Sequence, residues 1–145
     1  MLIDRIEREV GRPLPTSYRR FLSAFDDFCY VHYNEFKDEF PNSKGTPWFF
    51  WSEKRLGEVS IIHGASQNRM AWEVLKSYAE INASKGEKQK SLLERTQYLV
   101  AIAEDEGDIL FMDASDSFSV SIYMHDSGDS KRLEDSFEDW LVNGL

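Results

Sequence analysis

Three histidines, one cysteine and several close-set carboxylates are the side chains of this sequence best suited to chemistry. His32, His63 and His125 share no ligand-like spacing, and a lone Cys29 cannot complete a zinc cluster. Glycines are isolated where a phosphate-cradling loop would need them together, as at Gly107 and Gly128, and no serine sits in a nucleophile elbow. Cys29 lies in the apolar run Phe28-Cys29-Tyr30-Val31, the setting of an inert thiol rather than a reactive one.

Carboxylate pairs are plentiful: Glu104-Asp105-Glu106, Asp108, and Asp113 with Asp116. Acid–base or metal chemistry requires such groups to converge, and a raised pKa requires burial. These acids occupy turn-like segments, where aspartate and glycine serve the backbone, and the alternating pattern of a calcium loop is missing. No catalytic, cofactor-binding or metal-binding residue is therefore expected. A basic protein patch is the ligand that such acids would suit.

Charge distribution sharpens that expectation. The 145 residues carry a net charge of −9. Residues 1–103 hold 15 Lys/Arg against 14 Asp/Glu, whereas residues 104–145 hold only Lys131 and Arg132 against 12 acids. A nucleic-acid partner would need a basic stripe and is not expected. A cationic protein is the natural complement, its encounter speeded by the field. Asp105, Glu106, Asp108, Asp116 and Asp126 are the expected steering residues.

Aromatic residues could supply the anchor. They make up 14% of a chain that is 41% hydrophobic, and Trp48-Phe49-Phe50-Trp51 is their densest cluster. Alternation along a strand sends two of the four to each side. One pair enters a core, and the other is either covered by a helix or left open for Trp48 or Trp51 to act as an interface anchor.

The elements that position these residues follow from periodicity. Leu2, Ile3, Ile6 and Val10 form a helical stripe that Gly11 stops. Arg12-Pro13-Leu14-Pro15 is an extended connector into a second helix running to about Asp26. Cys29–Asn34 and Trp48–Trp51 read as strands, and Val59–His63 as a third strand or a loop. Asn68–Ala83 reads as a helix, and Ser84–Arg95 as a solvated loop or short helix. Tyr98–Ala103, Asp108–Asp113 and Phe118–His125 are strands separated by acidic turns. In the last, Phe118, Val120, Ile122 and Met124 alternate with Ser119, Ser121, Tyr123 and His125, the pattern of a sheet with one buried face. Ser136 opens a closing helix with Asp139 three residues on. The expected fold is α+β: N-terminal helices and a C-terminal helix packed on a largely antiparallel, curved sheet, with residues 1–145 as one domain. The N-terminus meets charge at once and no run approaches the ~20 apolar residues of a membrane span, so a cytoplasmic protein without a membrane partner is expected. Oligomeric state leaves no mark on the sequence.

Four groups of residues, taken in order, resemble the SUKH superfamily. They are Gly11 with Leu14-Pro15, Tyr18 and Phe21-Leu22; the Leu99–Asp113 strand pair carrying Gly107-Asp108; Tyr123-Met124-His125-Asp126; and Ser136-Phe137-Glu138-Asp139-Trp140-Leu141. Residues 30–97 carry no such match, and Asp26-Asp27-Phe28 stands where the family commonly has a glycine- or asparagine-rich turn. The resemblance implies a non-enzymatic protein-binding role. Many bacterial members resemble immunity proteins encoded beside secreted polymorphic or contact-dependent toxins, often nucleases. A fungal branch resembles cell-wall-synthesis regulators that act as scaffolds. A cognate toxin with a basic surface is the expected partner; a regulatory scaffold is the alternative, and a small-ligand-binding protein or hydrolase a further one.

Overall fold

The computed structural model describes residues 1–144. Helix α1 (Leu2–Val10) buries Ile6 and Val10 and ends at Gly11, whose φ of 79° is the left-handed cap that glycine adopts without a Cβ penalty. The connector is held by Glu7. Its carboxylate accepts the Leu14 amide at 2.6 Å and pairs with Arg19 of α2 (Thr16–Ser23). Burial pushes the Glu7 carboxyl up, but Arg19 and the Leu14 amide outweigh it and hold the group below its ordinary value.

Strands β1 (Phe28–Tyr33) and β2 (Thr46–Trp51) form a hairpin. The loop between them is organised by Asn34, whose side chain accepts the Phe36 amide at 3.0 Å and donates to the Phe40 carbonyl at 2.7 Å. The chain then leaves the sheet through α3 (Glu53–Leu56), the short pair β3 (Val59–Ser60) and β4 (Arg69–Met70), α4 (Val74–Asn82) and α5 (Glu87–Arg95). It returns as β5 (Leu99–Asp105), β6 (Asp108–Asp113), β7 (Ser119–Met124) and β8 (Asp129–Glu134), and closes with α6 (Phe137–Gly144). The six-stranded sheet has the order β1-β2-β5-β6-β7-β8, with every neighbouring pair antiparallel. This is the expected α+β architecture.

One sheet face packs on α2 and α6. Phe50 meets Phe21 with ring centroids 4.8 Å apart and Trp140 at 5.4 Å, while Tyr33 stacks on Trp140 at 5.0 Å. The Ser136 hydroxyl accepts the Asp139 amide at 3.1 Å, as the sequence suggested, and turns Phe137 and Trp140 inward.

Several expectations need correction. The helix expected over 68–83 begins only at Val74, because the Ala71 amide bonds the Glu58 carbonyl at 2.9 Å and Met70 pairs with Val59. Helix α2 stops at Ser23 rather than near Asp26. For the basic segment after α4 the short-helix alternative holds, over Glu87–Arg95, and that helix buries Leu92. The β7 sheet region has two buried faces, not one: Ser119, Ser121 and Tyr123 are buried as fully as Val120 and Ile122. Tyr123 is covered by α4, with Tyr78 at 5.5 Å and the Asn82 amide donating to its hydroxyl at 3.2 Å. Strand β8 carries no strand signal in its sequence, which is polar and lacks alternation. Its exposed Lys131 and Arg132 suit a sheet edge, where charge discourages pairing with another chain.

Candidate functional site

Directly opposed residues on neighbouring strands share a face. One such row crosses the whole sheet: Tyr30, Phe49, Glu104, Ile109, Tyr123 and Ser130. Helix α4 lies over Tyr123, and Ile109 is also buried. Toward β1 the same face opens. Tyr30 is 57% exposed and Phe28 46%, and both contact half-buried Phe49, with centroid separations of 5.3 and 5.2 Å. Arg55 lies over the Phe49 ring at 5.5 Å, held there by Asp27 at 2.7 Å.

Glu104 borders this aromatic face. Its carboxylate is solvent-accessible and makes no hydrogen bond among the described residues, and surrounding protein pushes its pKa up against the opposing pull of Arg55. Next to it the β5–β6 hairpin turns through Glu106 and Gly107, whose φ angles are 48° and 97°. Two successive positive values mark the turn that matches strand twist. Burial, followed by Glu106, Asp108 and Glu35, pushes the Asp105 carboxyl up.

Asp108 accepts the His125 amide at 3.1 Å and lies 2.7 Å from Nδ1 of the same residue, while Asp126 lies 3.1 Å from Nε2. A Cβ at position 107 would meet this imidazole at 2.9 Å. Gly107-Asp108 and His125-Asp126 therefore interlock two adjoining turns. His125 is a hydrogen-bonded strand-end residue, and neither of two larger surface hollows, of about 690 and 590 Å³, is lined by it. Among the described residues no group of three His, Cys, Asp or Glu is placed to hold a metal ion.

The expected steering residues thus separate. Asp105, Glu106, Asp108 and Asp126 gather at one end of the sheet, beside Glu104. Asp116 does not join them. It lies in the β6–β7 connection at the opposite end, where the Ser119 hydroxyl and Arg132, at 2.7 and 2.9 Å, hold its carboxyl low. The anionic character of the last third is also partly cancelled in space. Asp113 pairs with Arg95, Asp129 with Lys88, and Asp135 with Arg132. Counting charge along the chain could not reveal the pairings of Asp113 with Arg95 and of Asp129 with Lys88, whose bases lie outside that third.

Neither tryptophan proposed as an anchor is open to a partner. Trp48 is wholly buried on the α2–α6 side, its indole nitrogen donating to Glu35 at 3.3 Å, and Trp51 is buried at the corner where β2 meets α3. The open aromatics are instead Phe28, Tyr30 and, in part, Phe49. Their signal was the alternation of Phe28 and Tyr30 across Cys29. Burial pushes the half-buried Cys29 thiol up, away from the reactive thiolate form.

Over residues 2–143 the chain matches the SMI1 / KNR4 family (SUKH-1), and it belongs to that family. Membership fits a domain that binds protein partners in general. No curated protein and no solved structure gives a match. Among the described residues no helix is long and apolar enough to cross a membrane.

Proposed function

We propose that this chain is a non-enzymatic immunity protein, which binds a cognate polymorphic or contact-dependent bacterial toxin directly in the cytoplasm. One observation carries the reading: a group of acids that form no ion pair with Lys or Arg among the described residues, Glu104, Asp105, Glu106, Asp108 and Asp126, borders an open aromatic face. Charge of one sign steers encounter with a basic surface, and desolvated aromatic rings supply affinity once contact is made. A toxin nuclease fits this surface well, because its groove is built for phosphates that carboxylates can imitate.

Capture with the tagged protein from its native host tests the proposal. A basic effector encoded beside the gene is the expected catch, and co-expression should restore growth of cells making that effector. Failure to capture or protect against the neighbouring gene product would overturn the reading. With the effector in hand, association should slow as salt rises. Asp126→Asn should slow it further, whereas Asp116→Asn, at the far end of the sheet, should leave it unchanged.

A further inference from the structure

Resting on that reading, we propose that the open β1–β2 face is the anchor site and that it takes an arginine side chain of the partner, stacked on Tyr30 and paired with Glu104. The occupant follows from what the face already holds. Arg55 shows the arrangement within the chain itself, a guanidinium over Phe49 and tied to the Asp27 carboxylate. Tyr30 and Glu104 repeat those two components one strand to either side of Phe49, since Tyr30 opposes Phe49 on β1 and Glu104 opposes it on β5. In this second set the ring is exposed and the carboxylate has no hydrogen-bond donor among the described residues.

Charge agrees with the shape. Asp27, Glu58 and Glu104 all act on Arg55, and among these four groups the acids leave an excess of two negative charges. Lys54, which also acts on Asp27, offsets part of that excess. A purely apolar partner would strand Glu104 without water or a counter-ion, and an acidic partner would be repelled. Arginine suits the site better than lysine, because its planar guanidinium can stack on a ring and still donate two parallel hydrogen bonds to a carboxylate.

The test needs no knowledge of the partner. The uniformly ¹⁵N-labelled full chain is titrated with the blocked tripeptides Gly-Arg-Gly, Gly-Lys-Gly and Gly-Glu-Gly at constant ionic strength, and amide shifts are followed by NMR. The arginine peptide should give saturable shifts confined to Phe28–Val31, Phe49 and Glu104, with the lysine peptide weaker and the glutamate peptide silent. Tyr30→Ala and Glu104→Gln should each weaken the arginine response about tenfold. Both positions are solvent-accessible, and cooperative thermal melts with unchanged amide spectra elsewhere establish that the variants fold. Shifts spread over scattered surface acids such as Glu138 and Asp139, or unaltered by Tyr30→Ala, would overturn the anchor. The two proposals fail separately. If the wild type protects against the effector and Tyr30→Ala protects equally, the anchor is wrong and the immunity role stands. If the wild type does not protect, the immunity role fails, while the peptide titration still decides whether the face takes arginine.

Discussion

The sheet face that carries the candidate site has two halves with opposite fates. Over β6 and β7 it is closed: α4 brings Tyr78 and Asn82 onto Tyr123, and α5 brings the Gln89 amide onto the Gly128 carbonyl of the β7–β8 turn at 2.9 Å. Over β1–β2 the same face leaves Phe28 and Tyr30 exposed and Phe49 half-buried, with the Arg55 side chain of α3 over the Phe49 ring. Both halves carry aromatic rings, and coverage sets what those rings do. Rings under a helix contribute folding energy, whereas open rings keep their burial energy for a second molecule.

Substitutions on the two sides should make this contrast measurable. Tyr123→Ala, in the closed half, removes a fully buried ring and should cost about 3–5 kcal/mol in denaturant unfolding. Asn82→Ala leaves that ring in place but strips the donor from its hydroxyl, and should cost about 1 kcal/mol. In the open half Tyr30→Ala should change stability by under ~0.5 kcal/mol while weakening partner binding. A large loss of stability from Tyr30→Ala would show that the open half is part of the core after all, and the contrast would collapse.

Acids provide a finer test through pH. Glu104, raised above its ordinary 4.5, binds its proton more tightly when folded. It therefore opposes folding at neutral pH, and this opposition fades as pH falls through the folded pKa. Glu104→Gln should raise the thermal midpoint slightly at pH 7, and the gain should vanish below about pH 4.5, the unfolded value. Glu80 behaves oppositely. Arg69 and Ser66 hold it low, so it stabilises the fold above 4.5 and loses that contribution as pH falls through its depressed value. Glu80→Gln should lower the midpoint at pH 7 and have little effect in acid. The same sign for both variants at pH 7 would contradict the contrast.

What could be read from the sequence was whatever local periodicity and end-capping determine. Helix α1 with its Gly11 cap, strands β5 to β7 and the Ser136 cap of α6 are written in neighbouring residues. What could not be read depends on distant partners. Trp48 and Trp51 looked like anchors because a strand must send some rings outward, but coverage by α2, α6 and the β2–α3 corner is a tertiary fact. Glu104 was visible only as one acid in a turn, since its importance comes from facing Phe49 across the β2–β5 pairing. Asp116 looked free because Arg132 lies sixteen residues away.

The strand order has one more implication. β2 and β5 are neighbours, so residues 52–98 leave the sheet and re-enter it beside their point of departure. A detour of this kind can lengthen, shorten or tilt without reordering the strands, because its closure cost grows only slowly with length. The detour also carries the helices that roof the sheet. Remodelling α3 to α5 would therefore widen or narrow the uncovered strip beside β1, resizing the landing area for a partner while the supporting framework keeps its connectivity.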